Sequence, residues 1–320
     1  MYIARPMSGW SERLKREAGV PDLLEVLTER LAPSDLQSLL LEVYARLASK
    51  VRPAQLLQQQ EQNRFVAPSP ADARLLAEVD RMAWGLLPDG YLPLELSPLC
   101  PLGTNSAIAT VSQHKVVSTT RNTEAVADST NVLALESAAR RRRQLRSKAQ
   151  APVLLAASQR VTRAQVFKGT RSWAHFRLLS LSAAGRDVGT FRFESAQLVE
   201  QIAFQVRLLR ELARFGRVYS SIRVAVTDLT SGRLREPLEA SVLAPLSARF
   251  PDMRVHFDPE RASGRGYYDA ACFKLFAREP SGDEIELGDG GTVDWTAKLL
   301  SDRKERLVIS GLGVERICTR

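Results

Sequence analysis

Long apolar runs are missing from this sequence: no stretch of about 18 uncharged apolar residues, the least that a membrane-spanning helix needs, occurs anywhere. The opening segment, MYIARPMSGWSERLK, has no apolar core of the kind that a signal peptide carries. Cysteine is scarce too, because the chain has only Cys100, Cys272 and Cys318, far apart. An odd number at this spacing forms neither a disulfide framework nor a metal cluster. We therefore expect a cytoplasmic protein without a membrane span.

Two common kinds of catalytic site are missing as well. The three histidines, His114, His175 and His256, are scattered and lack the spacing of zinc ligands. No segment follows the Gly-x-Ser-x-Gly pattern that exposes a nucleophilic serine on a strand-to-helix turn. The sequence therefore predicts neither a zinc enzyme nor a hydrolase with a Ser–His–Asp triad.

Positive charge, by contrast, is in excess: 45 lysines and arginines face 36 acidic residues, which gives a formal net charge of +9. A basic balance favours polyanionic partners such as nucleic acids, nucleotides or acidic membrane surfaces. A composition rich in arginine, alanine and leucine, of the kind that GC-rich genomes encode, accounts for the same excess without any such partner. Composition alone leaves both interpretations open.

The densest basic segment is the run ARRRRQLRSK at residues 139–148. Arginines at one helix end would bind RNA phosphates, each adding to a salt-dependent affinity. They would equally complement the dipole at a solvated helix C-terminus. We favour the solvated helix end and keep an RNA-binding module as the alternative.

The first part of the chain has the periodicity of helices. Residues 9–65 place apolar residues at helical spacing, and Pro21 stands where a new helix would start. A proline-rich joint and another amphipathic helix follow. We predict a helical N-terminal extension over residues 1–75 and a second domain over residues 76–320.

Beyond these helices the pattern changes to short extended segments separated by turns. HKVVSTTRNTE alternates like a strand, and PVLLAAS and HFRLLSLSAAG are apolar runs of strand length. One long helix, SAQLVEQIAFQVRLLRELARFG, ends at Gly216. Strands in this order, with few helices between them, indicate an α+β fold in which a mainly antiparallel sheet is flanked by helices.

Three stretches of the second domain combine glycines with residues that bind charged ligands. In SGLGVER, residues 310–316, a strand leads to an acid and an arginine, whose planar fork matches phosphate oxygens. Gly311 and Gly313 would let a ligand approach the backbone closely. The other two are the strand, basic loop and returning strand of QRVTRAQVFKGTRSWAHFRLLSLSAAG, and the pair SGRGYYDAACFKLF and LGDGGTVDWTAKLL.

In their order and layout these stretches resemble the catalytic core of the class II aminoacyl-tRNA synthetases. They are similar to its histidyl branch in particular, which includes the synthetase-like regulatory subunit of ATP phosphoribosyltransferase. The resemblance spans residues 90–320. It implies an antiparallel sheet that binds ATP, with Mg²⁺, beside an amino acid.

The resemblance implies a nucleotide site. Arg316 would contact the γ-phosphate, and Arg160 would hold the α-phosphate and the attacked carboxylate, with Arg163 as its alternate. Arg160 and Arg316 would thus be the catalytic residues. The implied ATP-binding set also includes Arg171 and the glycines Gly311 and Gly313. The loop residues Lys168, Gly169 and Arg171 would lie over the nucleotide or over the acceptor end of an RNA.

The resemblance also implies an amino-acid site. Tyr267 and Tyr268 offer apolar faces with polar tips, which suit a small polar ligand. Arg265 lies two residues before Tyr267, whereas the family has its arginine four residues before. Glu124, in TRNTEAV, would pair with the substrate ammonium, since a carboxylate is the natural partner of an amine. We predict that Glu124, Arg265 and Tyr268 converge beside the nucleotide.

We interpret the sequence as a stand-alone synthetase paralogue that joins a small amino acid to ATP as an acyl-adenylate, with Mg²⁺ bridging phosphate oxygens. Glu194 and Asp294 are the candidate metal ligands. A tRNA or a carrier protein would accept the acyl group, and the resemblance implies a homodimer formed through SPLCPLG. The alternative is a non-catalytic regulatory or interaction protein that kept the fold.

Overall fold

The computed structural model describes residues 9–147, 151–165 and 172–319. The chain divides into two compact units, Met1–Gln62 with Thr119–Asn122 and Asn63–Ser118 with Thr123–Arg320. The predicted division after residue 75 lies further along the chain, within a helix that packs in the second unit.

Over residues 9–62 the first unit is built mainly from helices. They are α1 (Gly9–Ala18), α2 (Leu23–Glu25, continued by a wider π-helical turn to Arg30), α3 (Pro33–Ala48) and α4 (Pro53–Gln62). Pro33 and Pro53 stand at the first position of their helices, where the missing N–H of proline costs no hydrogen bond. The structure therefore confirms the helices that the spacing of apolar residues predicts for this part of the chain.

The second unit is built on an eight-stranded sheet. The strands among the described residues are β1 (Leu92–Pro93), β2 (Leu99–Pro101), β3 (Thr123–Ala125), β4 (Val153–Thr162), β5 (His175–Arg186), β6 (Ser221–Asp228), β7 (Arg254–Phe257), β8 (Ala271–Arg278), β9 (Glu284–Val293) and β10 (Glu305–Gly313). Strands β2 and β3 pair as a separate ribbon, and the large sheet has the order β1-β4-β5-β10-β9-β8-β6-β7. The outer pairs are parallel and every pair between them is antiparallel. This confirms the predicted α+β fold with a mainly antiparallel sheet.

Helices cover the two faces of the sheet unequally. One face, which we call the α7 face, is covered by α5 (Ala73–Leu86), α7 (Arg192–Glu211) and α11 (Val314–Cys318), with α8 (Arg235–Leu238) and α9 (Ala244–Arg249) beside α7. On the other face, which we call the open face, α6 (Ser129–Arg146) and α10 (Trp295–Leu300) cover one part of the sheet. In the part of the chain that the structure describes, no helix is both long and apolar enough to cross a membrane.

Side chains along each strand alternate between the two faces. On β10, Val308 and Leu312 belong to the core under α7, whereas Leu307 and Ile309 belong to the smaller core under α6. Residues that are paired in neighbouring strands point to the same face, so the register carries this alternation across the sheet. It decides which polar residues reach the open face.

The arginine-rich end of α6 is anchored to the sheet. Arg141 is fully buried and donates two hydrogen bonds to Glu305 at the start of β10, from Nε to Oε2 at 2.8 Å and from Nη2 to Oε1 at 2.9 Å. Arg140 pairs instead with Glu136 on its own helix at 2.7 Å. The expectation of a wholly solvated helix end is therefore wrong for Arg141, because this position faces the sheet.

Substitution of Arg141 by alanine should lower the free energy of unfolding by about 3–5 kcal/mol, because Glu305 would stay buried with Arg186 as its remaining cation. Urea denaturation followed by circular dichroism measures the change. Arg143→Ala, at an exposed position of the same helix, is the matched control and should change it by less than about 0.5 kcal/mol. Similar small effects of both variants would contradict the anchoring role.

Candidate functional site

A cleft of about 570 Å³ lies on the open face, above strands β5, β8, β9 and β10. Its floor includes Gly311, Asp289 and Lys274 from three neighbouring strands. Gly311 is paired with Asp289, and Asp289 with Lys274, so the alternation puts all three on one face. Loop residues within 105–115 and 261–268 form the rim.

An acidic group at one end of the cleft is supplied by Asp128, the residue before α6. Its Oδ1 caps the helix by accepting from the Thr130 N–H at 3.0 Å and from the Thr130 hydroxyl at 2.8 Å. Its Oδ2 accepts from Nη2 of Arg163 at 3.2 Å and lies 3.4 Å from the donating hydroxyl of Tyr267. One oxygen therefore fixes the helix start while the other joins the residues that line the cleft.

Arg163 lies just beyond β4, where the cleft meets an adjoining pocket of about 210 Å³, and it lines both. Its Nε donates to the carbonyl oxygen of Ala127 at 2.9 Å. Its guanidinium carbon lies 5.0 Å from the centroid of the Phe176 ring, within the range of a cation–π contact. The guanidinium is thus held in place at the junction.

The adjoining pocket combines this aromatic ring with a second guanidinium. Phe176 of β5 and Arg316 of α11 both line it, together with Gly311 and Gly313. Arg316 donates from Nη1 to the carbonyl oxygen of Glu286 at 2.7 Å. The flat Phe176 ring and Arg316 guanidinium, together with the two glycines, leave room for a planar ligand. The predicted loop residues Lys168, Gly169 and Arg171 lie outside the described residues.

Arg160 lies on the opposite face of the sheet. It is paired in register with Arg177 of β5, which forms an ion pair at 3.1 Å with Asp80 of α5 on the α7 face. Arg316, in contrast, lines the adjoining pocket together with Gly311, whose position in β10 lies on the open face. The prediction that Arg160 and Arg316 face one cleft is therefore wrong. Its alternate, Arg163, lies with Arg316 in the adjoining pocket.

The partner that holds Arg160 on that face is the carboxylate of Glu315, whose side chain is 1% exposed. Its Oε1 accepts from Arg160 at 2.8 Å and from the Ser69 hydroxyl at 2.5 Å, and its Oε2 accepts from the Arg177 N–H at 2.7 Å. Burial alone would raise the pKa of this carboxyl, but the three hydrogen bonds outweigh it and the pKa lies below its ordinary value. The residue before Arg316 is therefore fixed and charged.

Glu124 does not line the cleft. It is fully buried and accepts from the N–H groups of Gly103 and Asn105 at 2.9 and 3.0 Å. The side-chain amides of Asn105 and Gln113 also donate to it, at 2.6 and 2.7 Å. Against the effect of burial, these donors lower the pKa of the carboxyl. The assignment of Glu124 to the substrate ammonium is wrong, because its oxygens already hold a rim loop in place.

Both predicted tyrosines line the cleft. Tyr267 packs edge-on against Trp295 with ring centroids 5.2 Å apart, and the Tyr268 hydroxyl donates to Oδ2 of Asp289 at 3.1 Å. Burial raises the pKa of both phenols well above its ordinary value. Both hydroxyls are therefore neutral donors at physiological pH.

The loop before the tyrosines contributes two arginines. Arg265 lines the rim and donates from Nε to the carbonyl oxygen of Arg261 at 3.2 Å. The Arg261 side chain is 3% exposed, and its Nε donates to the carbonyl oxygen of Ser263 at 2.8 Å. Its Nη2 lies 3.8 Å from Oδ2 of Asp289, and its Nη1 is buried without an acceptor among the described residues. The deeper arginine of this loop is therefore Arg261.

Sequence reasoning missed six charged residues of the cleft: Lys115, Asp128, Arg261, Lys274, Glu286 and Asp289. The Asp-x-Thr pattern at Asp128 does signal a helix N-cap, but a cap is not by itself a site. Arg261 lies further from the tyrosines along the chain than Arg265 does, and the folded loop brings it under them. Asp289 lies in a glycine-rich strand, and only its register with Lys274 in the folded sheet shows which face its side chain occupies.

The predicted metal ligands lie elsewhere. Glu194 pairs with Arg306 at 2.9 Å and Asp294 with Lys298 at 2.9 Å, and both line a separate depression at the far end of β9 and β10. They are therefore wrong as metal ligands for the cleft. Over residues 9–147, 151–165 and 172–319, no three metal-ligating side chains are grouped around one point. The carboxylate of Glu286 lines both the cleft and the adjoining pocket.

No protein-family model matches this chain, and no curated protein matches it either. Solved structures do. One is described as an ATP phosphoribosyltransferase regulatory subunit/histidyl-tRNA synthetase from Bacillus halodurans, with a TM-score of 0.55 and 16% identity over 79% of this chain and 82% of that one. A second, apo histidyl-tRNA synthetase from S. aureus, has a TM-score of 0.53 and 14% identity over 76% of this chain and 63% of that one.

A third similar structure is described as the RNA binding domain of threonyl-tRNA synthetase from Cryptosporidium parvum Iowa II. Its TM-score is 0.55, with 12% identity over 78% of this chain and 66% of that one. These likenesses confirm the class II synthetase-like fold, with histidyl-tRNA synthetase and the regulatory subunit among the structural neighbours. At such identities they establish the fold alone.

The low pKa of Glu315 predicts a loss of stability in acid. Since its folded-state pKa lies below the ordinary 4.5, the unfolded chain takes up the proton first as the pH falls. The free energy of unfolding should therefore decline as the pH drops from about 5 to about 3. Glu315→Gln should be less stable at pH 7 and should decline less steeply over that range, as urea denaturation would measure.

The control for this experiment is Glu236→Gln, an exposed glutamate of α8 in the same unit. This variant should keep both the stability and the acid dependence of the wild type. Equal slopes for Glu315→Gln and the wild type would contradict the role of the buried carboxylate.

Proposed function

We propose that this protein binds ATP and a small amino acid side by side in the cleft and its adjoining pocket, and joins them as an aminoacyl-adenylate. The observation that carries the proposal is the position of Arg163. It lines both spaces, with Phe176 and Arg316 on one side and Asp128 and Tyr267 on the other. A cation at this junction would contact both the α-phosphate of ATP and the carboxylate of the amino acid, the two anionic groups that must react.

The nucleotide would occupy the adjoining pocket. A purine is flat and offers a π-face to the Phe176 ring and to a guanidinium, as both groups prefer. Gly311 and Gly313 leave the strand end without side chains where the ligand would lie. Its phosphates would then extend towards Arg163, whose fork suits phosphate oxygens.

The amino acid would occupy the cleft. Its ammonium would pair with Oδ2 of Asp128, next to the hydroxyl of Tyr267. Its carboxylate would turn towards Arg163, which would hold it beside the α-phosphate. A charge-assisted contact at each end fixes the orientation of a zwitterion and is about twice as strong as a neutral hydrogen bond.

The reaction would be an attack of the carboxylate oxygen on the α-phosphorus. One O–P bond forms as the bond from that phosphorus to the bridging oxygen breaks, and pyrophosphate leaves with the electron pair. Arg163 would offset the charge that develops between the reacting groups, without reorganising. Proximity alone accounts for a large part of such a rate enhancement, because two bound reactants need not find each other in solution.

A magnesium ion would supply charge neutralisation on the phosphates. Mg²⁺ needs one or two carboxylates besides phosphate oxygens and water, and no all-protein cage. Glu286 fits this need, since it lines both spaces and is 38% exposed. Its Oε2 accepts from Lys274 at 2.7 Å, so binding of the ion would displace or share this contact.

The alternative is a regulatory protein that binds the same ligands without joining them. The observation that favours it is that the two described carboxylates lining both spaces, Glu286 and Asp289, each already lie beside a cation, Lys274 and Arg261. The Bacillus halodurans neighbour carries both a regulatory and a synthetase description. A tRNA or carrier protein as acceptor, a homodimer and a cytoplasmic location remain parts of the proposal.

Arg316→Ala and Arg163→Ala should each weaken ATP binding by about 1.5–3 kcal/mol, the range for a hydrogen bond to a charged group. Isothermal titration calorimetry measures the change. Arg303→Ala, an exposed arginine at the far end of the sheet, is the control and should bind ATP as the wild type does. Wild-type affinity in both test variants would refute the nucleotide site.

Exchange of labelled pyrophosphate into ATP tests the reaction itself. The wild type should catalyse exchange that depends on an amino acid, and Asp128→Asn should reduce it by about tenfold or more, the equivalent of one charged hydrogen bond. Asparagine is also a good N-cap, so this variant keeps the start of α6. Binding of ATP and an amino acid without any exchange would support the regulatory alternative and contradict the enzyme.

A further inference from the structure

Besides Lys274 and Glu286, which the proposed function places at the metal, the cleft contains a pair of opposite charges that the two charged ends of an amino acid would not use. Arg261 and Asp289 lie together on its floor, with Nη2 3.8 Å from Oδ2, and Tyr268 donates to the same Oδ2 at 3.1 Å. Under the proposed function, on which this inference rests, Asp128 and Arg163 hold the ammonium and the carboxylate. The floor pair is therefore left for the substrate side chain.

Each member of this pair has an unused hydrogen-bonding atom. No described residue donates to Oδ1 of Asp289, and the buried Nη1 of Arg261 has no acceptor within the described residues. The unpaired Nη1 is buried and therefore costly, whereas Oδ1 belongs to a side chain that is 46% exposed. A ligand with one acceptor and one donor would pair both atoms.

The carboxylate of Asp289 has its neighbouring donors at Oδ2 alone among the described residues: the Tyr268 hydroxyl and, at 3.8 Å, Nη2 of Arg261. Its side chain is 46% exposed, although it lies on the cleft floor rather than on the outer surface. Desolvation by the surrounding protein, followed by the charge of Glu286, raises the pKa of this carboxyl, and Arg261 offsets only part of the rise. A further donor from a ligand would stabilise its charged form.

The charges around the floor disfavour an ionised side chain. Arg261 and Lys274 would repel a cationic group, and Asp289 and Glu286 would repel an anionic one. An aliphatic side chain would bury the open atoms of the pair without partners. A neutral group that donates and accepts avoids all three penalties.

We propose that Arg261 and Asp289 select an amino acid with a carboxamide side chain, whose oxygen accepts from Arg261 and whose NH₂ group donates to Asp289. A carboxamide carries an acceptor and two donors on one planar carbon, and it has no charge. Asparagine and glutamine are the standard amino acids of this class. They differ in reach by one methylene group, which binding measurements distinguish.

The test is calorimetric titration of the full chain, saturated with α,β-methylene ATP so that no adenylate forms. Glutamine, asparagine, glutamate, aspartate, lysine and leucine are the ligands. At least one amide should bind about tenfold or more tightly than the acid of the same shape. A site whose carboxylate accepts from the NH₂ group of a ligand rejects an analogue that lacks this donor. Similar or tighter binding of an acidic, basic or aliphatic amino acid would overturn the proposal.

Asp289→Asn makes the experiment sharper. It removes the negative charge beside Arg261 and supplies an amide donor in its place, so the order of affinities should reverse in favour of glutamate or aspartate. Asp283→Asn, the same change at an exposed position near the start of β9, should keep the wild-type order. An unchanged order in Asp289→Asn would overturn the assignment of this pair.

Binding of the nucleotide analogue, measured on the same samples, separates two kinds of failure. A chain that binds the analogue but no amino acid overturns the specificity proposal and leaves the nucleotide site standing. A chain that binds neither refutes the proposed function, and the specificity proposal with it.

Discussion

The candidate site depends on a buried carboxylate, that of Glu315. Ser69, Arg160 and the Arg177 N–H all donate to it, so one group ties the segment before α5 to strands β4 and β5. Arg316 is the next residue, and it lines the pocket next to the cleft. The Glu315 carboxylate is held on the α7 face, and it thereby fixes the backbone from which Arg316 reaches the pocket on the open face.

The excess of arginine has several structural meanings in this molecule. Arg141 and Arg160 are bound to the buried carboxylates of Glu305 and Glu315, where the guanidinium fork satisfies charges that could not otherwise be buried. Arg163, in contrast, lies on the open face at the junction of two spaces. The net charge therefore does not by itself mark a surface for nucleic acid, because position decides what each arginine does.

A shared fold does not carry residue roles at 12–16% identity. What supports a function here is the arrangement of the cleft's own groups. Asp128 and Arg163 place opposite charges at one end, and Arg261 and Asp289 place opposite charges on the floor. Such a cleft complements a small ligand that has charged ends and a neutral polar side chain.

The sequence by itself determined the helical start, the strand-rich remainder and the mainly antiparallel sheet, because periodicity along a strand or helix is a local property. Only the tertiary structure decided which polar residues meet. Arg160 and Arg163 are candidates of the same kind, yet Arg160 lies within β4 on the α7 face and Arg163 lies just beyond that strand, at the cleft. Glu124 and Asp128 are both acids near one loop, yet one is enclosed by amides and the other lines the cleft. The sequence pattern along one strand does not show which residues of other elements pack against each of its faces.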